Sequence, residues 1–512
     1  MPGPKTRLAT SPMFRHMITP GRWWPLLLIA FAGKLLLFVL YLVEHGTSLN
    51  GPWYRFGGDT SGYIDPVESI FGGGGYQPDM RMPGYGLPYF LVRSLMAPHP
   101  ALQTMVVLQV LASAISVILL ARTALALTGS VRAFRSTYWI ALMATFTSVF
   151  DGCILTESFS AFALIGSVHA VVAYLEDHRR SHIYAAGLMM AWLIFMKPVY
   201  LPVLAILSVP LWFRRSVPCA QRARTIVLFA APFLIAESAW IVRNANVHGV
   251  FRPFSDGIIS PSIRANVKYP MLRLMQTYGA SFIWWDNTAE IRWFGVRTIG
   301  EGPGATPVGP PPLPGYAYTS ACPLDTLELI ADGVEVYYRD STDAVKRSVA
   351  LANVTQRCDR CIAAFKTERP FYYHVVSKLR LLKKFILTSG TSTLLSKPWG
   401  ELHPVGKAIK LLYSLLYLGV IVPGFAWGLV VLFRRRGSPA ARTFAAVFIY
   451  GVTIFPLVMR MEENRYLTTP YPFAIVLSVM LGIGLADRWS GHRRSSKMVS
   501  SSGTDTTTGG EL

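Results

Sequence analysis

The chain has 512 residues, 52% of them hydrophobic and 15% charged. Soluble domains carry about a quarter of their residues as Asp, Glu, Lys and Arg, so this composition excludes an ordinary soluble enzyme. The net charge of +21 would suit a nucleic-acid binder. However, the basic residues sit in short clusters between apolar runs: Arg132 and Arg135; Arg179 and Arg180; Arg214, Arg215, Arg222 and Arg224; Arg434, Arg435, Arg436 and Arg442; Arg488, Arg493, Arg494 and Lys497. That is positive-inside patterning, not a phosphate-tracking face.

The N-terminus carries Lys5, Arg7, Arg15 and Arg22 ahead of an apolar run at 24–43. The run is long and no small-residue cleavage site follows, so it reads as a retained first span. Ten spans are expected, at 24–43, 101–125, 136–150, 154–175, 183–197, 199–213, 225–242, 408–433, 443–459 and 470–486. Placing every Arg cluster in the cytoplasm requires an even number of spans with both termini inside. The outer connections are then 44–100, 151–153, Lys197–Pro198, 243–407 and 460–469. The expected fold is a polytopic α-helical membrane protein with about ten transmembrane helices and a large extracytoplasmic loop region before the last three. It divides into an N-terminal transmembrane module, 1–243, with the first outer loop at 44–100; an extracytoplasmic segment, 244–407; C-terminal helices, 408–487; and a polar, disordered cytoplasmic tail, 488–512.

Within the outer segments, 84–100 is apolar but interrupted by Arg93 and prolines, which suits an interfacial helix. The stretch 300–315 is a Pro/Gly-rich loop, and 370–387 reads as a basic amphipathic helix starting after Pro370. Of five cysteines, Cys322, Cys358 and Cys361 fall in the large outer segment. A disulfide is preferred to a zinc site because no second Cys or His pair accompanies CDRC, and which two cysteines pair is left open.

The ionisable residues at outer span ends form a set: Asp59, Arg81, Glu157, Lys197, Glu237, Arg243, and Arg460, Glu462, Glu463 and Arg465 in RMEENRY. Ionisable groups near membrane depth are costly and usually functional. Each also has a plainer reading. Arg460 and Arg465 suit headgroup contact, Glu157 suits a helix start, and Lys197 suits a Pro-broken turn. Lys34, inside the first span, is expected to face other helices or snorkel, and His169 to make an interhelical contact. Asp65, Glu68 and Asp79 are expected to be solvated loop residues. Asp59 stands apart because Gly57 and Gly58 let backbone approach it closely. No P-loop, HExxH, GxSxG or kinase motif is present.

The stretch GGDTSGYIDP at 57–66, a Gly-rich Tyr segment and RMPGYGLPYFLV at 81–92 resemble the first outer loop of the GT-C superfamily. The nearest branch is the polyprenyl-phosphate-sugar glycosyltransferases related to protein mannosyltransferases and lipid A aminoarabinose transferases. LTESFSAFALIG, AWIVRNANVHG and NRYLTTPYPF resemble later segments of that family in the same order along 24–486. The resemblance implies inverting transfer of one sugar from a polyprenyl-phosphate carrier to an acceptor hydroxyl or amine on the extracytoplasmic face. The short cytoplasmic loops agree with it, since a nucleotide-sugar enzyme needs a soluble nucleotide-binding domain. On that basis Asp59 is the expected base, with Glu157 orienting a cation or sugar hydroxyl. Arg81, Lys197, Arg243 and Arg465 are the expected phosphate-binding cations. Tyr63, Tyr85 and Asn244 are the candidate substrate contacts. The first loop lacks the acidic pair of many relatives, Thr60 following Asp59, and has no DxD, so no cofactor is expected and a divalent metal is unsupported. Expected partners are the lipid donor, a glycan, lipid or protein acceptor, and membrane lipid, not nucleic acid. The expected location is a bacterial inner membrane. A flippase or transporter of a lipid-linked sugar, and a non-catalytic assembly protein, are the competing readings.

Overall fold

The computed structural model describes residues 23–44, 51–78, 81–214, 216–249, 251, 253–254, 266–279, 315–339, 343–390, 395, 397, 399–434 and 438–501. These residues are helical with short connections, and among them the only β pairing is two isolated bridges. In chain order the helices are α1 (Trp24–Glu44), α2 (Ser61–Phe71), α3 (Gly86–Arg93), α4 (Pro98–Thr128), α5 (Val131–Met143), α6 (Thr145–Ser148), α7 (Glu157–Asp177), α8 (Arg180–Met196), α9 (Leu201–Trp212) and α10 (Cys219–His248). There follow α11 (Lys268–Tyr278), α12 (Leu324–Arg339), α13 (Ala344–Glu368), α14 (Ser377–Thr388), α15 (Pro404–Phe433), α16 (Pro439–Thr453), α17 (Asn464–Thr468) and α18 (Tyr471–Ser501).

Seven of these are long and apolar enough to cross a membrane among the described residues: α1, α4, α7, α10, α15, α16 with its π-turn to Met459, and α18. The chain is therefore an α-helical membrane protein. The other three expected spans fall on shorter helices. α5 ends at Met143, where Ala144 leaves helical geometry, and α8 and α9 are separated by Lys197 and Pro198. At 1.5 Å rise per residue α8 is about 25 Å long, and α5 and α9 about 20 Å or less, against a hydrocarbon core of about 30 Å.

The helices share one apolar core that runs from α1 to α18. α4 packs on α7, α7 on α8, α8 on α10, and α15 on α18. Small residues set the closest approaches. At Gly187 of α8 an added Cβ would lie 2.4 Å from the Phe229 carbonyl oxygen of α10. α10 continues past the expected boundary at 243 to His248, where Gly249 closes it at φ 66°. A second, separate core joins α11, α12 and α13 into a unit, named the outer unit for its expected side, stapled by a disulfide between Cys322 and Cys361 with Cα atoms 5.1 Å apart; Cys358 stays reduced and buried. The basic segment after Pro370 forms a π-turn, Tyr372–Val376, leading into α14.

Two interior polar residues show how the bundle tolerates charge. Lys34 of α1 is buried and donates to the Ala141 carbonyl (2.9 Å) and to Ser148 Oγ (2.9 Å). The break at Ala144 frees carbonyls at the negative end of α5, and an ammonium is well placed there. His169 of α7 meets Thr123 Oγ1 of α4 at 3.0 Å, an interhelical contact as expected.

Two expectations for the first outer loop change, and one falls outside the described residues. Asp65 and Glu68 lie on α2 rather than in a loop. Asp65 is exposed, but Glu68 is engaged by Arg93 Nε at 3.0 Å and by the Tyr89 hydroxyl, which joins α2 to α3. Asp79 lies outside the described residues, as do the N-terminal basic residues, nearly all of the 300–315 loop and the end of the tail.

Candidate functional site

Most of the expected polar residues come together at one end of the bundle, delivered by five short segments. The first is the turn GGDT. Thr60 Oγ1 accepts from Gly57 N (2.9 Å) and donates to the Ile154 carbonyl (2.9 Å). Arg55 and Ile154 also pair through backbone, with Arg55 N to the Gly152 carbonyl at 2.9 Å and Ile154 N to the Arg55 carbonyl at 3.0 Å. The first outer loop is thus pinned to the entry of α7, and Asp59 and Glu157 are carried on one connected piece of backbone.

Asp59 sits between two guanidinium groups. One carboxylate oxygen takes Arg81 and the other takes Arg465 Nη1 at 2.6 Å. Arg465 Nε holds Glu463 Oε2 at 2.6 Å. Arg81 also lies over the Tyr63 ring, 5.2 Å from its centroid. Next to this chain of charges, Lys197 donates to Glu157 Oε1 at 3.2 Å. The side chains of Glu157 and Lys197 are only 2% and 9% exposed, and Glu157 Oε2 has no hydrogen-bond partner among the described residues. Tyr466 links the two groups. Its ring lies 5.2 Å from the Arg465 guanidinium and 5.8 Å from the Lys197 ammonium, and it stacks on Phe455 at 4.3 Å.

The electrostatics follow from these contacts. Burial pushes the Asp59 carboxyl upward, but Arg465 and Arg81 together outweigh it and hold the group below its ordinary value. Burial raises Glu463, and Arg465 offsets only part of that. Asp59 as placed is therefore a weak proton acceptor, whereas the proton affinity of Glu463 is raised. The formal charges of Asp59, Glu157 and Glu463 balance those of Arg81, Lys197 and Arg465.

Gly84 sets the distance between loop one and α8. Its backbone lies against Phe195 and Met196, where an added Cβ would come within 2.4 Å of backbone. The Trp192 indole donates to the Gly84 carbonyl at 2.7 Å. This contact holds the segment carrying Arg81 beside Lys197.

Four other expected residues play different parts. Tyr63 is buried beneath Arg81 and supports it. Tyr85 is fully buried, donating to Gln109 Oε1 (2.9 Å), whose amide spans the Asp151 (2.7 Å) and Cys153 (2.9 Å) carbonyls. In this arrangement the Tyr85 hydroxyl is engaged inside the core, through Gln109, with the backbone at the entry to α7. Arg243 and Asn244 form a second group at the end of α10. Arg243 donates to Asn244 Oδ1 (3.0 Å) and to the Tyr76 carbonyl, and lies over Trp240. Asn244 is 3% exposed. Nearby, Glu237 Oε1 accepts from Phe254 N at 2.8 Å.

Sequence reasoning left Glu463 and Tyr466 without roles, and both lie in the centre of the set. The signal was available in RMEENRY, where two adjacent acids between two arginines are more than simple headgroup contact needs. Among the described residues, no group of three or more His, Cys, Asp or Glu side chains is arranged to hold a metal ion. Comparison with protein-family models, with curated proteins and with solved structures finds no match for this chain.

Proposed function

We propose that this protein is an inverting glycosyltransferase that moves a sugar from a polyprenyl-phosphate carrier to an acceptor hydroxyl or amine on the extracytoplasmic face, as the resemblance to the GT-C superfamily implies. The observation that carries the reading is the convergence of Arg81, Lys197 and Arg465 with Asp59 and Glu157 at one end of an apolar bundle. A lipid-linked anion reaches such a site with its chain in lipid and its phosphate among fixed cations. Counting α5, α8 and α9 as crossings gives ten spans and cytoplasmic termini. The disulfide of the outer unit supports an oxidising side for that unit.

The ion pairs give the chemistry an order. The donor phosphodiester carries one negative charge and competes with Asp59 for Arg81 and Arg465, forming charge-assisted bonds of the same kind. As the guanidiniums turn to the phosphate, Asp59 loses the partners that hold its proton affinity down. The freed carboxylate takes the proton of the acceptor O–H or N–H as that atom attacks the anomeric carbon. The bond from the anomeric carbon to the phosphate oxygen breaks, its electron pair leaves with polyprenyl phosphate, and the sugar inverts. The extra negative charge on the leaving phosphate is met by Arg81, Arg465 and Lys197. Glu157 Oε2, buried and open, is placed to accept from a sugar hydroxyl. A reconstituted transfer assay with radiolabelled polyprenyl-phosphate sugars, wild type beside Asp59→Asn, tests this. Full transfer by the variant rejects Asp59 as base, and absence of turnover by wild type with every such donor rejects the reaction.

A second reading, transport of a lipid-linked sugar, draws on one observation. A mostly apolar cavity inside the bundle also takes in Lys34, Ser113, Thr147, Asp151, Ser158 and Thr468, and ionisable residues at such depth often mark pathways. It predicts movement of labelled lipid across proteoliposomes without transfer.

A further inference from the structure

The loop between α16 and α17 faces two ways. Arg460 ends the π-turn Ile454–Met459 in the left-handed region at φ 56°. A non-glycine residue keeps that conformation where its surroundings over-determine it. Here the surroundings are the outer unit and its connection to α14. Arg460 Nη1 donates to the Gln276 carbonyl of α11 (3.2 Å) and to Ser377 Oγ (3.0 Å); Nη2 donates to the Tyr373 carbonyl (2.6 Å). The guanidinium also lies 3.8 Å from the Tyr373 ring centroid. Two residues on, Glu462 pairs with Lys384 of α14 at 2.9 Å. The next residues turn the other way, as Glu463 and Arg465 hold each other and Arg465 holds Asp59. Within six residues the chain grips the outer unit at one end and the charged site at the other.

We propose that Arg460 is a positioning residue that couples the outer unit to the charged site, so that docking of the unit sets how well Arg465 presents itself to an anionic lipid. The coupling rests on the reading of Arg465 as a phosphate-binding group. Its physical basis is a short tether with both ends fixed. If the outer end is released, the backbone from 460 to 463 gains freedom, and the cation that meets the phosphate is no longer pre-oriented. By linkage, anything that tightens the outer unit on Arg460 tightens anion binding, and the reverse holds equally.

The test uses the full chain in nanodiscs with polyprenyl phosphate as the probe, a ligand that needs no turnover. Arg460→Met is expected to weaken binding of this lipid about tenfold, within the usual range of coupling between sites. Amide exchange is expected to rise together at 372–388 and at 460–468. Arg460→Lys keeps the charge but loses the two-pronged fork, and is expected to fall between, so it decides the matter if the Met variant does not fold. Arg465→Met, measured beside them, reports on the site itself. Faster exchange confined to 372–388 with unchanged lipid affinity in the Arg460 variants overturns the coupling while leaving the site reading intact. Unchanged affinity in Arg465→Met overturns the reading on which the coupling rests.

Discussion

Two polar clusters in this molecule use the same residue types to opposite ends. In the interior, Lys34 is held by the Ala141 carbonyl and Ser148 Oγ, and Asp151 accepts from Ser158 Oγ at 2.6 Å. The partners of Lys34 flank the helix break at Ala144, and that of Asp151 lies in the first turn of α7. At the end of the bundle, the mouth of the proposed site, Arg81, Lys197 and Arg465 are held by the carboxylates of Asp59, Glu157 and Glu463, with which an incoming anion would compete on the proposed reading. The interior cluster meets its needs from backbone and hydroxyl groups, save for Asp151 Oδ2, which has no hydrogen-bond partner among the described residues. The mouth cluster is balanced in charge, and the proposed reading requires its carboxylates to give way to an incoming anion.

This contrast can be broken or sharpened experimentally. The largest expected effect is at Asp59. Asp59→Asn should lower the rate of transfer by about 10²–10⁴, the usual contribution of a positioned acid or base, with expression and thermal stability retained. Arg465→Met should lower kcat by about 10²–10³, as for loss of one preorganised group at developing charge, with Arg465→Lys restoring part of it in the same assay. The interior cluster should respond the other way. Lys34→Met removes the buried donor to the Ala141 carbonyl and Ser148 Oγ and should destabilise the fold by about 1–3 kcal/mol, read as a lowered melting temperature in detergent. The kcat of the folded fraction should stay within about twofold. A large fall in kcat without loss of stability would make the interior cluster functional and erase the distinction.

A smaller effect is expected from pH at the tether. Burial pushes the Glu462 carboxyl from its ordinary 4.5 up to about 7, and Lys384 pulls it back only in part. Lys384 of α14 is its charged partner across the contact, with Arg460 and Glu463 beside it on its own loop. The docked state therefore holds the proton more tightly than an undocked one. Docking is strongest below 4.5 and weakens as pH rises through about 7. Exchange at 377–388, corrected for intrinsic rates, should quicken across that window in wild type and stay flat in Glu462→Gln. The smallest effect is at Asp65, exposed on α2, where Asp65→Asn should change stability by less than about 0.5 kcal/mol and leave transfer unchanged.

Much of this arrangement was legible in the sequence. Apolar run length located the long helices, and the Arg clusters sorted the connections into two sides. That expected sorting grouped Asp59, Arg81, Glu157, Lys197 and Arg465 with Glu237, Arg243, Arg460, Glu462 and Glu463; the first five and Glu463 come together, while Glu237 and Arg243 lie in a second group on α10. What stayed hidden depends on packing. Glu68 looks like a loop acid until α2 forms and turns it towards Arg93. Tyr85 looks like a substrate contact until Gln109 takes its hydroxyl. Cys358 and Cys361 are three residues apart on one helix and share a face, so spacing alone does not choose between them as the partner of Cys322. The short helices α5, α8 and α9 have the composition of spans, but Ala144 and Pro198 interrupt them, and their lengths follow from those breaks.

The contact at Gly84 has a genetic consequence. An allele encoding alanine there forces the first loop away from α8 by adding one methyl group where backbone already stands. In a screen it should phenocopy loss of Arg81 although every charged residue is intact. A suppressor that restores function should map to residues 192–196, the ledge on which the glycine rests, and not to any acid or base of the mouth.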